Sequence, residues 1–380
     1  MPKLMISAAE VSGDVHGSYL VREIKKILPS ASFFGLGGEK LKAAGVDVKL
    51  DITSKSSIGI FEAVRHIPSH LRTVNKLKKM MDEEKPDALI LVDAQGFNMS
   101  LASYARSKGV RTIYYIAPQE WLWGTQKGVK KVVDTIDLIV SIFAKEHEIY
   151  TKAGGKSVYF GHPLIDIAKK TADKDAFASK YGIDISKKII ALCPGSRQQE
   201  IMGFSRILIE TARKIKNTMP EVQFVLPLSS SAFSDKVDQI VKNSGLDIAV
   251  IKDDNYNALG NSDLVVAVSG TIVLETVILN APVIMFYKVS IPTYLLAKYV
   301  LKVDLPYYSM PNILLNRMVV PEFLMKDANP DNLSIAALTL LKDDQKVREI
   351  KQGFKEVLST LGSPGVIGKA ARSVVDFLSN

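Results

Sequence analysis

Short apolar runs recur along this chain, and a stretch of helical spacing follows most of them. In the first half the runs are Leu4–Ser7, Ser32–Gly35, Ala88–Val92, Arg111–Ile116, Leu138–Ile142 and Ser157–Phe160. In the second half they are Lys188–Cys193, Gln223–Leu226, Ile248–Ile251, Leu264–Val268 and Pro282–Tyr287. Short runs rich in β-branched residues read as strands of a parallel sheet, and the helical segments between them read as crossovers. This alternation predicts an α/β fold of two Rossmann-like, doubly wound domains facing each other across a cleft. The first is expected over residues 1–168 and the second over 169–354. A C-terminal helix near 355–380 is expected to pack back on the first. The polar stretch Ala168–Tyr181, rich in Lys and Asp, reads as the linker.

The most apolar window, Leu264–Tyr287, contains Gly270, Glu275, Asn280 and Pro282. These break it into strand, turn, helix and strand, so it does not read as a membrane span. No secretory leader is read at the start, because Glu10 and Asp14 follow Met1–Ser7 at once.

Composition narrows the class. The chain has 380 residues, 47% hydrophobic and 23% charged, enough for two cored domains. The single cysteine, Cys193, excludes an internal disulfide and fits a reducing compartment. It ends an apolar run, so it reads as a small buried hydrophobe. The net charge of +9 favours anionic partners. That charge is not gathered in one block, and no nucleic-acid partner is expected. Its clearest cluster, Arg65–Met81, places Leu71, Val74, Leu77 and Met81 near helical spacing. It reads either as a solvated outer helix or as a helix lying on an anionic membrane surface.

In doubly wound sheets ligands bind beyond the carboxyl ends of the strands, so the residues just after each run matter most. Pro194-Gly195-Ser196-Arg197 ends one run and opens a helix. Free amides and the helix dipole at such an end hold phosphate oxygens, and Arg adds a fork that matches two of them. An ordinary strand-to-helix turn is the bland alternative. Ser269-Gly270-Thr271 opens a second such helix, with Glu275 on the face of Thr271 and able to accept from ribose hydroxyls. Together these turns describe a nucleoside diphosphate pocket, with Arg197, Ser269, Thr271 and Glu275 expected on one cleft.

In the first half, Asp93 directly follows Ala88–Val92, where a carboxylate is placed for general-base work or for capping the next helix. Glu10 lies in the first turn, ahead of Ser12 and Asp14, either of which could cap the first helix. His162, before Pro163, reads as a packed loop histidine or a ligand contact. Trp121 and Trp123 share one loop, as packing or as the flanks of a sugar face. No Cys/His cluster has metal-ligand spacing, and there is no Gly-x-Ser-x-Gly elbow.

These motifs, in this order, resemble the lipid-A-disaccharide synthases, glycosyltransferases of the two-Rossmann GT-B class. The resemblance rests on Ala9–Asp14, Phe34–Gly38, Ser57–Glu62, Pro86–Asn98, Tyr114–Pro118, Trp121–Trp123, Gly161–Pro163, Leu192–Arg197, Ser269–Glu275, Leu305–Asn312 and Pro321-Glu322. It implies a donor, UDP-2,3-diacylglucosamine, and an acceptor, 2,3-diacylglucosamine 1-phosphate. The product is a β-1,6-linked disaccharide, formed with inversion and without metal or cofactor. The family's functional positions fall on Glu10, Asp93, Arg197 and Asn312. Asp93 is the expected base, with Glu10 the second choice. Ser196, Arg197, Ser269, Gly270, Thr271 and Glu275 are the expected donor contacts, and Ser12, Asn98, His162 and Asn312 the further site residues. The resemblance also implies a cytoplasmic enzyme peripheral to the inner membrane, possible as a homodimer. The chain departs from the family pattern at Gln95, Gly96 and Gly124, where the family carries Pro, Asp and Arg, and at Phe143–Glu146, where it carries Pro-Phe-Glu. The alternatives are another GT-B enzyme, such as a UDP-N-acetylglucosamine 2-epimerase or the peptidoglycan glycosyltransferase, or a non-catalytic glycolipid- or nucleotide-binding homologue.

Overall fold

The computed structural model describes residues 1–52, 60–228, 233–295 and 305–379, leaving aside the side chains of 60–69 and Trp123. It forms two compact units. One holds most of the chain up to Asp166 and takes it back from Leu361; the other holds Ile167–Thr360.

The first unit is built on seven parallel strands: β1 (Lys3–Ala8), β2 (Ser32–Leu36), β3 (Asp47–Leu50), β4 (Ala88–Val92), β5 (Arg111–Tyr115), β6 (Leu138–Ser141) and β7 (Ser157–Tyr159). Their order is β3-β2-β1-β4-β5-β6-β7. The six strands of the second unit are β8 (Ile189–Cys193), β9 (Gln223–Leu228), β10 (Ile248–Lys252), β11 (Leu264–Val268), β12 (Val283–Tyr287) and β13 (Glu322–Leu324), in the order β10-β9-β8-β11-β12-β13. The central strands are apolar throughout because helices cover both faces: β4, β8 and β11 are buried along their whole length. Strand order reverses between β1 and β4 in one sheet and between β8 and β11 in the other. These switch points are where doubly wound sheets open a crevice for ligands.

Two edge strands, β3 and β13, escape the sequence reading. Each is short and only partly buried, so neither carries a continuous apolar run. The expected linker is also corrected. Within Ala168–Tyr181 a helix, Lys174–Tyr181, is capped by Asp173 and buries Phe177. The amides of Thr171 and Ala172 both donate to Asn257 Oδ1 at 2.8 Å, tying the stretch to the second unit.

The expected helix near 355–380 is two elements. The helix Asp344–Thr360 belongs to the second unit, with Phe354 and Val357 buried, whereas Val366–Ser379 packs on the helix Val11–Ile27 of the first. The chain turns at Gly362, which bridges Gly161. Both glycines have positive φ, +116° at Gly161 and +91° at Gly362, and a Cβ on Gly161 would lie 2.6 Å from the Leu361 carbonyl. Only residues without a side chain let the two backbones approach this closely.

The basic helix spans Ile60–Glu84. Val74, Leu77 and Met81 are buried in the core of the first unit, while Leu71 is 56% exposed beside exposed Arg72 and Lys76. Most of the apolar stripe is therefore consumed by packing. The side chains of Arg65 and His66 lie outside the described residues. Among the described residues no helix is long and apolar enough to cross a membrane.

Candidate active site

At the first switch point Ala8 pairs with Val92, so the turns leaving β1 and β4 emerge side by side. Gly13 makes this closeness possible: a Cβ there would lie 3.3 Å from the Val92 carbonyl. Glu10 occupies the N-cap position of the helix Val11–Ile27 in extended backbone, without capping it through its side chain. Ser12 and Asp14 do not cap that helix either. Ser12 Oγ donates to Asp93 Oδ2 at 3.3 Å. Asp14 accepts from the amides of Gly38, Lys40 and Leu41 at 2.7, 3.0 and 3.1 Å, capping the short helix Glu39–Ala43 instead.

Asp93 is the centre of this arrangement. Asp93 and Ala94 both take left-handed backbone, φ +53° and +50°. Such conformations cost about 1–3 kcal/mol each and persist where the surroundings enforce them, often at functional sites. Here the enforcement is visible. Tyr114 Oη and Asn98 Nδ2 donate to the Asp93 carbonyl at 2.8 and 2.7 Å, and its amide donates to the Tyr115 carbonyl at 3.3 Å. The partly exposed carboxylate accepts from the Ala94 amide at 2.8 Å. It does not cap a helix starting at Phe97, because the helix begins at Gln95.

Two expected contact residues prove to be internal. Asn98 is fully buried; it receives Ser7 Oγ at 2.7 Å and donates to the carbonyls of Val92 and Asp93. It braces the Asp93 turn and presents nothing outward. His162 is buried, its ring centroid 5.0 Å from that of Phe143, and Nδ1 accepts the Leu164 amide at 3.2 Å. Burial, with His16 nearby, holds its pKa well below the ordinary histidine value. It is a neutral packed histidine. Trp121 also packs, 5.6 Å from Phe143 and under Lys145.

Two of the residues that depart from the family pattern, Gln95 and Gly124, meet at Glu120. Gln95 Nε2 donates to Glu120, and a Cβ on Gly124 would lie 2.5 Å from the Glu120 backbone. The local backbone thus excludes any side chain at 124. Glu146, from the altered 143–146 stretch, is fully buried at the start of the helix Ala144–Lys152, and burial holds its carboxyl well above the usual range.

At the second switch point Ala267 pairs with Cys193, so Pro194–Arg197 and Ser269–Thr271 leave the sheet as neighbours. The helices they open, Gln198–Thr218 and Thr271–Ile278, feed strands on opposite sides of this point. Right-handed crossovers put such helices on opposite faces of the sheet, with their N-termini at the same edge. Burial, with the charge of Glu275 as the lesser cause, raises the Cys193 thiol far above its ordinary range. Cys193 is a buried hydrophobe, as read. Burial pushes Glu275 itself up to about 7, against a hydrogen bond from Tyr256 Oη at 3.2 Å. Thr271 and Gly270 are exposed, and open space lies over Gly270.

The amides of this turn, expected to be free for phosphate, are occupied. The amides of Ser196 and Arg197 already donate to Glu200 Oε2, at 2.9 and 3.2 Å. Glu200 is buried, and its other oxygen holds Arg197 Nη1 at 3.1 Å. The helix end is thus capped by its own carboxylate, and the guanidinium is oriented by it. The spacing from Arg197 to Glu200 is that of a capping box, the signal that could have revealed it.

Asn312 is also internal. Its Oδ1 accepts the amides of Val319 and Val320 at 2.6 and 2.8 Å. Its Nδ2 donates to the Val320 carbonyl and, at 2.6 Å, to Glu322 Oε1. Glu322 in turn accepts the amides of Tyr308 and Ser309 and the Ser309 hydroxyl. This polar knot fixes the entry to the helix Met310–Leu315, which packs against the Glu275 helix.

Comparison with known proteins establishes the fold and the family. A co-structure of S. aureus MnaA with UDP superposes with a TM-score of 0.67 at 15% identity, covering 100% of this chain and 97% of that one. A UDP-GlcNAc 2-epimerase from Neisseria meningitidis, bound to UDP-GlcNAc, gives 0.65 at 13% identity with both chains fully covered. At such identities the likeness establishes the fold, the two doubly wound units of the GT-B class. The lipid-A-disaccharide synthase of Geobacter sulfurreducens is 35% identical over 376 residues, 99% of this chain and 97% of its own. The model of the lipid-A-disaccharide synthetase family matches residues 4–370, and the chain belongs to that family.

Proposed function

We propose that this chain joins UDP-2,3-diacylglucosamine to 2,3-diacylglucosamine 1-phosphate, giving the β-1,6-linked disaccharide and UDP. The observation that carries the reading is the Asp93 turn: a carboxylate at a switch point, in left-handed backbone that three hydrogen bonds enforce. Asp93 takes the proton of the acceptor 6-hydroxyl as its oxygen attacks the anomeric carbon. The bond from that carbon to UDP breaks on the opposite side, so configuration inverts. General-base assistance of this kind is worth about 10²–10⁴ in rate. Glu10, on the neighbouring turn, is the alternative base.

The negative charge gathering on UDP needs fixed donors. Arg197 supplies them: a guanidinium has five N–H groups and can hold Glu200 and a phosphate oxygen together. Ser269, Gly270 and Thr271 offer hydroxyls and a helix end to the other phosphate oxygens. Glu275, titrating near neutrality, accepts from ribose hydroxyls. Asn312 and Asn98 act from behind by bracing the turns.

Acylated substrates lie in or near a bilayer, and the exposed edge of the basic helix, Leu71 with Arg72 and Lys76, favours contact with an anionic membrane surface. A homodimer is the assembly that accompanies this reading, to be read by sedimentation. The test of function is UDP release with the two defined substrates. Turnover that needs both supports the proposal. Release or isomerisation of the donor without acceptor favours the epimerase reading, and UDP binding without turnover the non-catalytic one.

A further inference from the structure

A groove of about 610 Å³ runs along the exposed face of the helix Gln95–Ser107, starting at Gln95, just after Asp93 in the chain. Gly96, Ser100 and Ser103 line it, all exposed, with open space over Gly96, and Met99, Tyr104 and Val132 complete its surface. Its walls carry two cations, Lys78 from the basic helix and Lys131 from the helix Gln126–Thr135. Their neighbours Lys79, Lys108 and Lys130 are paired with Glu83, Asp82 and Asp134. Lys78 and Lys131 have no carboxylate partner among the described residues; Lys78 lies 5.2 Å from the Tyr104 ring instead. Among the described residues the only carboxylate lining the groove is that of Glu120, hydrogen-bonded to Gln95.

An acyl chain gains its affinity by burying apolar surface, and would cover three serine hydroxyls, Gln95, Glu120 and two lysines here. Uncompensated cations above hydroxyl groups suit a phosphorylated sugar. The placement of charge also gives direction, with Glu120 and Gln95 at the helix start beside Asp93 and the ammonium groups on the walls beyond. We propose that this groove binds the phosphate-bearing end of the acceptor, with Lys78 and Lys131 as its phosphate partners. The hydroxyl end then points toward Asp93, and the enzyme selects a phosphorylated acceptor over an unphosphorylated one. The assignment rests on the acceptor role given to the first unit above.

The test compares 2,3-diacylglucosamine 1-phosphate with 2,3-diacylglucosamine as acceptors, by UDP release. For the wild type the ratio of kcat/KM between them should be large. Lys78→Gln and Lys131→Gln should each lower that ratio about tenfold, the worth of one charged hydrogen bond. The double variant should lower it further, and Lys131→Arg should restore most of it. The KM for the UDP donor, unchanged throughout, reports that the variants are folded. Ser103→Tyr, which fills the groove, should raise the KM of the phosphorylated acceptor. Variants that turn over with the wild-type ratio overturn the groove assignment and leave the function standing. A wild type inactive on both acceptors defeats the functional reading, and the groove assignment with it.

Discussion

Replacing Asp93 with Asn separates basicity from shape at the proposed catalytic turn. Asn tolerates left-handed backbone as Asp does, so φ +53° carries no new penalty. The side-chain oxygen can still accept the Ala94 amide at 2.8 Å. The amide nitrogen can donate to Ser12 Oγ, reversing the 3.3 Å hydrogen bond, since a hydroxyl both donates and accepts. The braces from Tyr114 and Asn98 reach the main-chain carbonyl and are untouched. Stability should therefore change by less than about 1 kcal/mol, within the net worth of one hydrogen bond. What is lost is the proton acceptor, which should cost about 10²–10⁴ in turnover. That is roughly 3–5 kcal/mol of barrier, at about 1.4 kcal/mol per decade. The assay is initial-rate UDP release at saturating donor and acceptor, with urea unfolding of the same preparations. Asp93→Ala provides the contrast: it should lose activity and also about 1–2 kcal/mol of stability, because Ala pays the left-handed penalty in full. Turnover of Asp93→Asn within tenfold of wild type refutes the assignment. If Glu10→Gln then abolishes turnover, the base is Glu10 and Asp93 is structural.

The remaining expectations concern pH, the polar knot and the basic helix. Burial raises Glu275 to about 7 in the folded protein from 4.5. Below 4.5 both states are protonated and nothing is lost; between 4.5 and 7 the unfolded chain ionises first, so stability falls as pH rises through this window. The loss should reach at most about 3 kcal/mol, at 1.36 kcal/mol per pKa unit, and denaturation midpoints of Glu275→Gln should lack it. Asn312→Ala strands the amides of Val319 and Val320 and removes one of three donors to Glu322 Oε1, and should cost about 2–5 kcal/mol in unfolding free energy. A midpoint equal to wild type would contradict the bracing role. Leu77→Ala should cost about 2–5 kcal/mol because the side chain is fully buried. Leu71→Ser should leave stability within about 0.5 kcal/mol yet weaken salt-sensitive binding to anionic vesicles; unchanged binding would remove this helix from the membrane contact.

The apolar runs by themselves determined the class of fold. A parallel strand covered on both faces must be apolar throughout, so β1, β4, β8 and β11 announce themselves, and the turns that follow them are legible as candidate sites. Asp93, Arg197 and Glu275 stood out for that reason. Edge strands β3 and β13 did not, because half-buried strands carry no continuous signal. Nor did the helix Lys174–Tyr181, whose polar composition conceals one buried ring, Phe177. Tertiary structure alone decided which polar residues face outward and which are consumed internally. Asn98, His162 and Asn312 sit in motifs that look chemical, yet each spends its hydrogen bonds on backbone from another segment or on its own turn. Asp14 caps a helix other than its own, and Glu200 occupies amides that the sequence left open for phosphate. Local spacing specifies periodicity and caps, because those depend on neighbours along the chain. The partner of a buried polar atom comes from segments tens of residues away, and burial makes leaving it unpaired costly; only the folded backbone determines which partner that is.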